Sequence, residues 1–144
     1  MKLKKSVTAI LLSVLILLSL CSCSGRVSRE EASEYADHFF TAVAADNWSE
    51  AVTLFHPDRN VTEDYVLAYI ESVETGTGAD FSNGIEITAY TGFSSSLYSS
   101  DVDGSVYEID MKITVGDLAF YASISVVRND EGAGIYDFHI SEEA

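Results

Sequence analysis

The first half of the chain after residue 28 repeats its apolar side chains with the period of an α-helix. One stripe follows the spacing i, i+3, i+4, i+7, i+8 and i+11, with acidic residues off it: Ala32, Tyr35, Ala36, Phe39, Phe40 and Val43. Ser28 and Glu31 before it have the spacing of a capping box. We predict a helix beginning after Ser28, a short helix from Trp48 to Phe55 that Pro57 ends, and a third beginning at Thr62.

The second half alternates apolar and polar residues with a period of two, after the breaker-rich segment Gly76–Gly84. Four strands are predicted, and Gly116-Asp117 has the composition of a tight hairpin turn. The predicted fold class is α+β, with three N-terminal helices packed on one face of a curved four-stranded antiparallel sheet. The alternation along each strand predicts that these residues face inward: Ile85, Ile87, Ala89, Thr91, Phe93, Tyr107, Ile109, Met111, Ile113, Val115, Leu118, Phe120, Ala122, Ile124, Val126, Tyr136, Phe138 and Ile140.

The N-terminus has a different pattern. Three lysines precede the apolar run Val7–Leu20, which is too short to span a bilayer comfortably. The run ends in Leu20-Cys21-Ser22-Cys23, which resembles the lipobox of bacterial lipoproteins. Cys23 fits as the modified residue, because Cys21 would have Leu20 where a small side chain is expected. We therefore expect a signal peptide at 1–22, a lipidated tether at 23–28 and one domain at 29–144.

The lipobox resemblance implies an extracytoplasmic protein that is anchored to a bacterial cell membrane by fatty acids such as palmitate. A diacylglyceryl group on Cys23 would supply the two chains that stable anchoring requires. Cys21 would leave with the signal peptide and Cys23 would carry lipid, so the folded part would have no cysteine for a disulfide, a metal thiolate or a nucleophile.

Removal of the signal peptide makes the chain more acidic. Three of the 8 basic residues are lost and all 23 acidic residues stay, which gives 5 − 23 = −18. Such a surface repels nucleic acid, so we expect no nucleic-acid partner. It either keeps an anchored domain from adhering to its own membrane or attracts cationic ligands.

A family resemblance appears in the segment EEASEYADHFFTAVAADNWSEAVTLF and in the strands SVYEIDMKITV and LAFYASISVVRNDEGAGIYDFHI. Together they resemble the cone-shaped superfamily of nuclear transport factor two, which includes bacterial lipoproteins of unknown function. Many relatives carry Trp at the start of the last strand, where this chain has Gly134-Ile135-Tyr136-Asp137. The resemblance implies a conical pocket, which we expect these residues to line: Tyr35, Phe39, Tyr69, Tyr107, Phe120, Tyr136 and Phe138.

The residues predicted to face inward include no titratable side chain other than tyrosine. General acid–base catalysis needs such a group within hydrogen-bond reach of the substrate, which argues against an enzyme. His56 is expected at a helix end, where a cation is favoured, and His139 on the solvated face. The histidines lack ligand spacing, so we expect no metal and no cofactor. A calcium-loop pattern is better explained by a hairpin turn; it comprises Ser99, Asp101, Asp103, Gly104 and Asp110.

The outer face of the sheet is the other candidate surface, and it is expected to carry Tyr90, Tyr121 and His139 among charged residues. It could be a homodimer interface, a contact with an envelope protein, or simply a solvated face. Three hypotheses remain open: a non-catalytic binding module, a small isomerase-like or hydrolase-like pocket enzyme using His38 and Asp37, and an accessory subunit of an envelope complex.

The lipobox assignment predicts the effect of one substitution. Cys23→Ser removes the acylated thiol, so the protein should be released from the membrane fraction or keep an uncut signal peptide. Fractionation followed by intact-mass measurement checks this, with Cys21→Ser as the control that should retain the anchor. Unchanged anchoring of the Cys23 variant would refute the site.

Overall fold

The computed structural model describes residues 25–99 and 102–143, without the side chains of 97–99 and 102. The helices are α1 (Arg29–Ala44), α2 (Trp48–Thr53) and α3 (Glu63–Thr77), with 3₁₀ turns at Pro57–Arg59 and Phe81–Asn83. The strands are β1 (Glu86–Ser99), β2 (Val102–Val115), β3 (Leu118–Asn129) and β4 (Gly132–Glu142). They form one antiparallel sheet in the order β1-β2-β3-β4, which does not close into a barrel. The predicted α+β class, with helices preceding four antiparallel strands, is confirmed.

Side-chain caps fix the starts of the three helices. Ser28 Oγ accepts a hydrogen bond from the Glu31 N–H at 3.1 Å, and Asn47 and Thr62 cap α2 and α3 in the same way. The chain before α1 is already part of the domain. Val27, which the sequence placed in the tether, is 4% exposed and packs with the core.

The core lies between the apolar stripe of α1 and one face of the sheet. Phe39 and Val43 are fully buried, and α1 contacts β2 and β3. On the strands, the buried residues alternate with exposed or half-buried ones, as in Ile109, Met111 and Ile113. One-sided burial is the usual arrangement for an antiparallel sheet that is solvated on its other face.

Two irregularities in β1 overturn part of the predicted inner face. The register with β2 shifts on both sides of Ala89–Tyr90. Tyr90 lies opposite buried Met111, and Ala89 lies opposite Lys112 on the outer face. The inward positions predicted for Ala89 and Thr91 are therefore wrong, and so is the outward position predicted for Tyr90. Each extra residue moves the side chains that follow it to the opposite face of the sheet. The alternation of apolar and polar residues in the sequence does not show where such an extra residue lies.

The pairing of β3 with β4 is also irregular. Val126 pairs with Ile135 while its neighbour Ser125 pairs with Asp137, so Tyr136 is the extra residue between them. Ile135 is fully buried and Tyr136 is only half-buried. The inward position predicted for Tyr136 is thus occupied by Ile135, again because a bulge shifts the alternation.

The open edge of β4 is covered by residues from the helical half. The N–H of His56 donates to the carbonyl of Ile135 at 2.8 Å, and the N–H of Ile135 donates to the carbonyl of Leu54, also at 2.8 Å. Further along, the Ile140 N–H donates to the Tyr69 hydroxyl at 2.9 Å. These bonds satisfy backbone groups that an exposed edge strand would leave free to pair with another chain.

Gly134 permits this close approach. A Cβ atom at this position would lie 2.5 Å from the His56 nitrogen and 2.6 Å from the Phe55 carbonyl carbon, closer than atoms can pack. The obstructing atoms are backbone atoms, which cannot move aside as a side chain can. Only glycine therefore fits at position 134, where β4 packs against the segment that follows α2.

Gly134→Ala should destabilise the fold by about 2–3 kcal/mol, because the Leu54–His56 segment must move away from β4 and its backbone hydrogen bonds weaken. Chemical denaturation checks this. Gly76→Ala is the matched control, since nothing lies within 4 Å of its added Cβ. That helical position should gain about 0.5–1 kcal/mol. Equal effects of the two substitutions would contradict the packing argument.

Candidate functional site

The aromatic residues expected to line a pocket pack against one another. The Phe39 ring centroid lies 4.9 Å from that of Phe138 and 5.8 Å from that of Phe55. Tyr69 stacks edge-on against Phe138 at 4.6 Å. Phe39 is fully buried and Phe138 is 7% exposed. These rings belong to one hydrophobic core or pack against it.

Phe120 and Tyr107 belong to the same hydrophobic core but contact other rings. Phe120 is fully buried and packs against Phe81 at 5.7 Å, and Tyr107 lies 6.2 Å from Phe93. Tyr136, at the β4 bulge, has the Arg59 guanidinium 5.1 Å from its ring centroid. Six of the seven predicted residues thus belong to one hydrophobic core or pack against it, and Tyr136 is not among them.

Tyr35 and Tyr90 are held in their protonated form. Burial raises the pKa of the Tyr35 phenol, and the nearby Glu31 carboxylate raises it further. Burial also raises the pKa of Tyr90, and the Asp37 carboxylate adds to the effect. Both hydroxyls are therefore hydrogen-bond donors at neutral pH, and neither supplies a phenolate base.

The proposed pair of Asp37 and His38 does not share a site. Asp37 neighbours the Tyr90 phenol, on the side of α1 that faces β1. His38 is exposed and lines a surface depression of about 290 Å³ at the α1–α2 corner, together with Thr41, Ala42, Ala45, Asn47 and Glu50. Consecutive residues of a helix point about 100° apart, which accounts for the separation.

His56 lies at a helix end, as expected, and its burial is the feature that the sequence did not indicate. It is 1% exposed, Nδ1 accepts a hydrogen bond from the Asp58 N–H at 3.2 Å, and Nε2 lies 3.0 Å from Asn129 Oδ1. Nδ1 also lies 3.5 Å from Asp58 Oδ2, so both ring nitrogens of this buried imidazole have polar partners. Its partner Asn129 is 73 residues away, so no local signal could have indicated the bond.

Asn129 extends this polar connection to the neighbouring turns. Its amide nitrogen donates to the Asp103 carbonyl at 3.1 Å, and its oxygen also accepts from the Glu131 N–H at 2.9 Å. The side chains of His56 and Asn129 thereby link the 3₁₀ turn at Pro57–Arg59 to the β3–β4 turn. Their hydrogen bonds are used internally, which indicates a structural role.

The outer face of the sheet carries a second cluster, whose three members are Lys112, Tyr121 and Glu143. Lys112 Nζ lies 2.6 Å from Glu143 Oε1, and the Tyr121 hydroxyl donates to the same oxygen at 2.9 Å. The ammonium is also 5.0 Å from the Tyr121 ring centroid. Tyr121 is 42% exposed, so these contacts hold an accessible aromatic ring in place.

A depression of about 330 Å³ lies beside that ring. It is lined by Thr91, Asp110, Met111, Tyr121, Ala122, Ser123, His139 and Ser141. His139 is exposed, and its Nδ1 lies 3.4 Å from the Tyr69 hydroxyl. The outward positions predicted for Tyr121 and His139 are confirmed, and both side chains line one depression. An aromatic ring, a carboxylate, an imidazole and hydroxyls are therefore available to a partner on this face.

The calcium-loop pattern does not form a loop over its described part. Ser99 ends β1 and its side chain, like Asp101, lies outside the described residues, while Gly104 and Asp110 are within β2. The described residues contain no group of three or more side chains able to hold a metal ion. Within the same ranges, no helix has the length and apolar character needed to cross a membrane.

Comparison with known proteins gave no relative. No protein-family model matches the chain, and neither the curated proteins nor the solved structures contain a significant match.

The Lys112–Glu143 contact predicts a measurable titration. Hydrogen bonds lower the pKa of Glu143; the bond from Lys112 has the larger effect and the bond from Tyr121 the smaller one. The same bond to Glu143 is the main cause of the raised pKa of Lys112. Any stability from Glu143 is present above its ordinary pKa and is lost as pH falls through the lowered value. Carboxyl-carbon NMR should place the Glu143 midpoint below 4.5.

Lys112→Met should return the Glu143 midpoint toward its ordinary value, because the main donor is lost. Lys112→Arg is the control, since it keeps a charged donor near the same oxygen. An unchanged Glu143 titration in the Met variant would show that the contact does not persist in solution.

Proposed function

We propose that this chain is a lipoprotein anchored outside the cytoplasmic membrane, which binds another envelope protein through the outer face of its sheet. We further propose that the domain has the nuclear-transport-factor-like arrangement, with the helices on one face of a curved sheet. The lipobox-like Leu20-Cys21-Ser22-Cys23 supports the anchor. The order of helices and strands, and the bulges in β1 and β4, agree with the proposed fold, since bulges bend strands.

The observation that carries the proposal is the packing of the aromatic interior. In the proposed fold, a ligand pocket would lie between the helices and the sheet. Here Phe39, Phe55, Phe138 and Tyr69 contact one another in that region. This packing supports recognition through the surface of the domain, and so favours a binding module over a pocket enzyme.

The outer sheet face is the best-equipped surface for this purpose. Tyrosines that are exposed yet held in position lose little conformational entropy on binding and are enriched in interfaces. Tyr121 meets this description, because Glu143 and Lys112 fix its hydroxyl and ring. Small side chains around it, such as Ser123 and Ser141, leave room for a partner to approach.

The charge of the chain indicates the chemistry of the partner. The full sequence has a net charge of −15, and the outer face exposes Glu86, Glu108 and Asp137. Complementary charge accelerates association and disfavours wrong partners. We therefore propose a protein partner with a basic contact surface, whose binding weakens as ionic strength rises.

Tyr121→Ser should abolish the association and leave the thermal unfolding temperature nearly unchanged, because the removed ring is exposed. Site-specific photo-crosslinking from Ser123 in the native envelope checks the association, with the crosslinker at exposed Glu34 of α1 as the positional control. Tyr90→Ser is the matched variant: it removes a ring that packs on the core, so it should lower stability and keep the crosslink. A crosslink that survives Tyr121→Ser, or that forms equally from Glu34, would contradict the proposal.

A further inference from the structure

The chain enters the folded domain at a defined point. The Val27 N–H donates to Ser105 Oγ at 3.3 Å. Val27 is 4% exposed and Ser105 is 2% exposed. The last residue before the cap of α1 is thus held against the inner side of β2 by both a hydrogen bond and apolar contact.

The proposed anchor is close to this point along the chain. Four peptide units separate Cys23 from Val27, and consecutive Cα atoms are about 3.8 Å apart, so the acylated residue can lie at most about 15 Å from Val27. This step rests on the proposed function, because it takes Cys23 as the lipid-bearing residue. The membrane surface must then be near the docked Val27.

Ser105 lies near one end of the sheet. It is three residues from Val102, where β2 begins, and it pairs with Arg128, next to the β3–β4 turn that Asn129 and Gly132 close. The β2–β3 turn, at Gly116-Asp117, is at the opposite end. Ser105 and Val115 are ten positions apart in β2, which corresponds to about 33 Å at the rise of a β-strand.

We propose that the end of the sheet with the β3–β4 turn faces the lipid surface and that the β2–β3 turn points away from it. The tether is shorter than the sheet, so the far end can approach the bilayer only if the whole domain lies flat. Arg26, beside the anchor, favours contact of the tether with anionic headgroups.

This orientation has a consequence for binding. The outer face of the sheet is parallel to its strands, so an upright sheet presents that face to the side, along the membrane plane. Tyr121 and His139 are then accessible to a neighbouring envelope protein. The short tether fixes the height at which such a partner must present its contact surface.

Energy transfer to the membrane tests the orientation. Single cysteines replace Asp130 in the β3–β4 turn and Asp117 in the β2–β3 turn; both positions are exposed, and Cys23 is blocked by lipid. The lipidated, labelled proteins are reconstituted into vesicles of phosphatidylcholine and phosphatidylglycerol with an acceptor-labelled lipid. We expect strong transfer from position 130 and weak transfer from position 117, with heights that differ by about 30 Å.

Two further measurements separate the outcomes. Inserting a twelve-residue Gly-Ser linker between Ser24 and Gly25 should make the two transfer efficiencies converge, because Val27 no longer stays near the surface. Equal efficiencies without the linker, or stronger transfer from position 117, would overturn the orientation while leaving the anchor intact. Failure of the protein to float with the vesicles, with no lipid mass on Cys23, would instead overturn the anchor and the proposed function.

Discussion

The structure depends on the packing of Phe39 in α1 against Phe55 and Phe138. These rings come from a helix, from the segment after α2 and from the last strand, and their centroids lie 4.9 to 5.8 Å apart. Aromatic pairs at such separations add about 0.5–1.5 kcal/mol each beyond the burial of their area. The contact therefore joins the two ends of the domain's sequence.

The same junction explains why the edge of β4 is not exposed. The segment Leu54–His56 pairs with Ile135, and Gly134 lets the two backbones approach. His56 continues from this segment into the interior, where Asn129 accepts its hydrogen. Backbone pairing, the missing Cβ and the buried imidazole thus act on one short stretch, and a change in any of them should alter the position of the others.

The fold class and the helix starts could be predicted from the sequence because their signals are local. The capping box at Ser28 and the 3.6-residue stripe of α1 are contained within sixteen consecutive residues, from 28 to 43. The bulges in β1 and β4 could not be predicted, since an extra residue changes parity without changing composition. Tyr90 and Tyr136 were misplaced for this reason. The burial of His56 could not be predicted, because its partner Asn129 is 73 residues away along the chain.

The candidate site was predicted in part. Tyr121 and His139 were placed on the outer face by alternation, which is undisturbed between Leu118 and Ser125 of β3. Their convergence on one depression, and the fixing of the Tyr121 ring by Glu143, depend on the sheet register and on the residue that follows β4. Neither feature can be predicted from the sequence of one strand alone. The aromatic residues were correctly recognised as inward-facing at Phe39, Phe120 and Phe138, and they belong to one hydrophobic core.

The most direct test of this account is native mass spectrometry of the mature lipidated chain, gently released from detergent micelles. A packed interior and an external binding face predict the mass of the lipidated polypeptide alone, as monomer or dimer, with no retained small molecule. A reproducible additional mass that persists in the Tyr121→Ser variant and is lost when Phe39 or Phe138 is changed would place a ligand inside the domain and contradict the central claim.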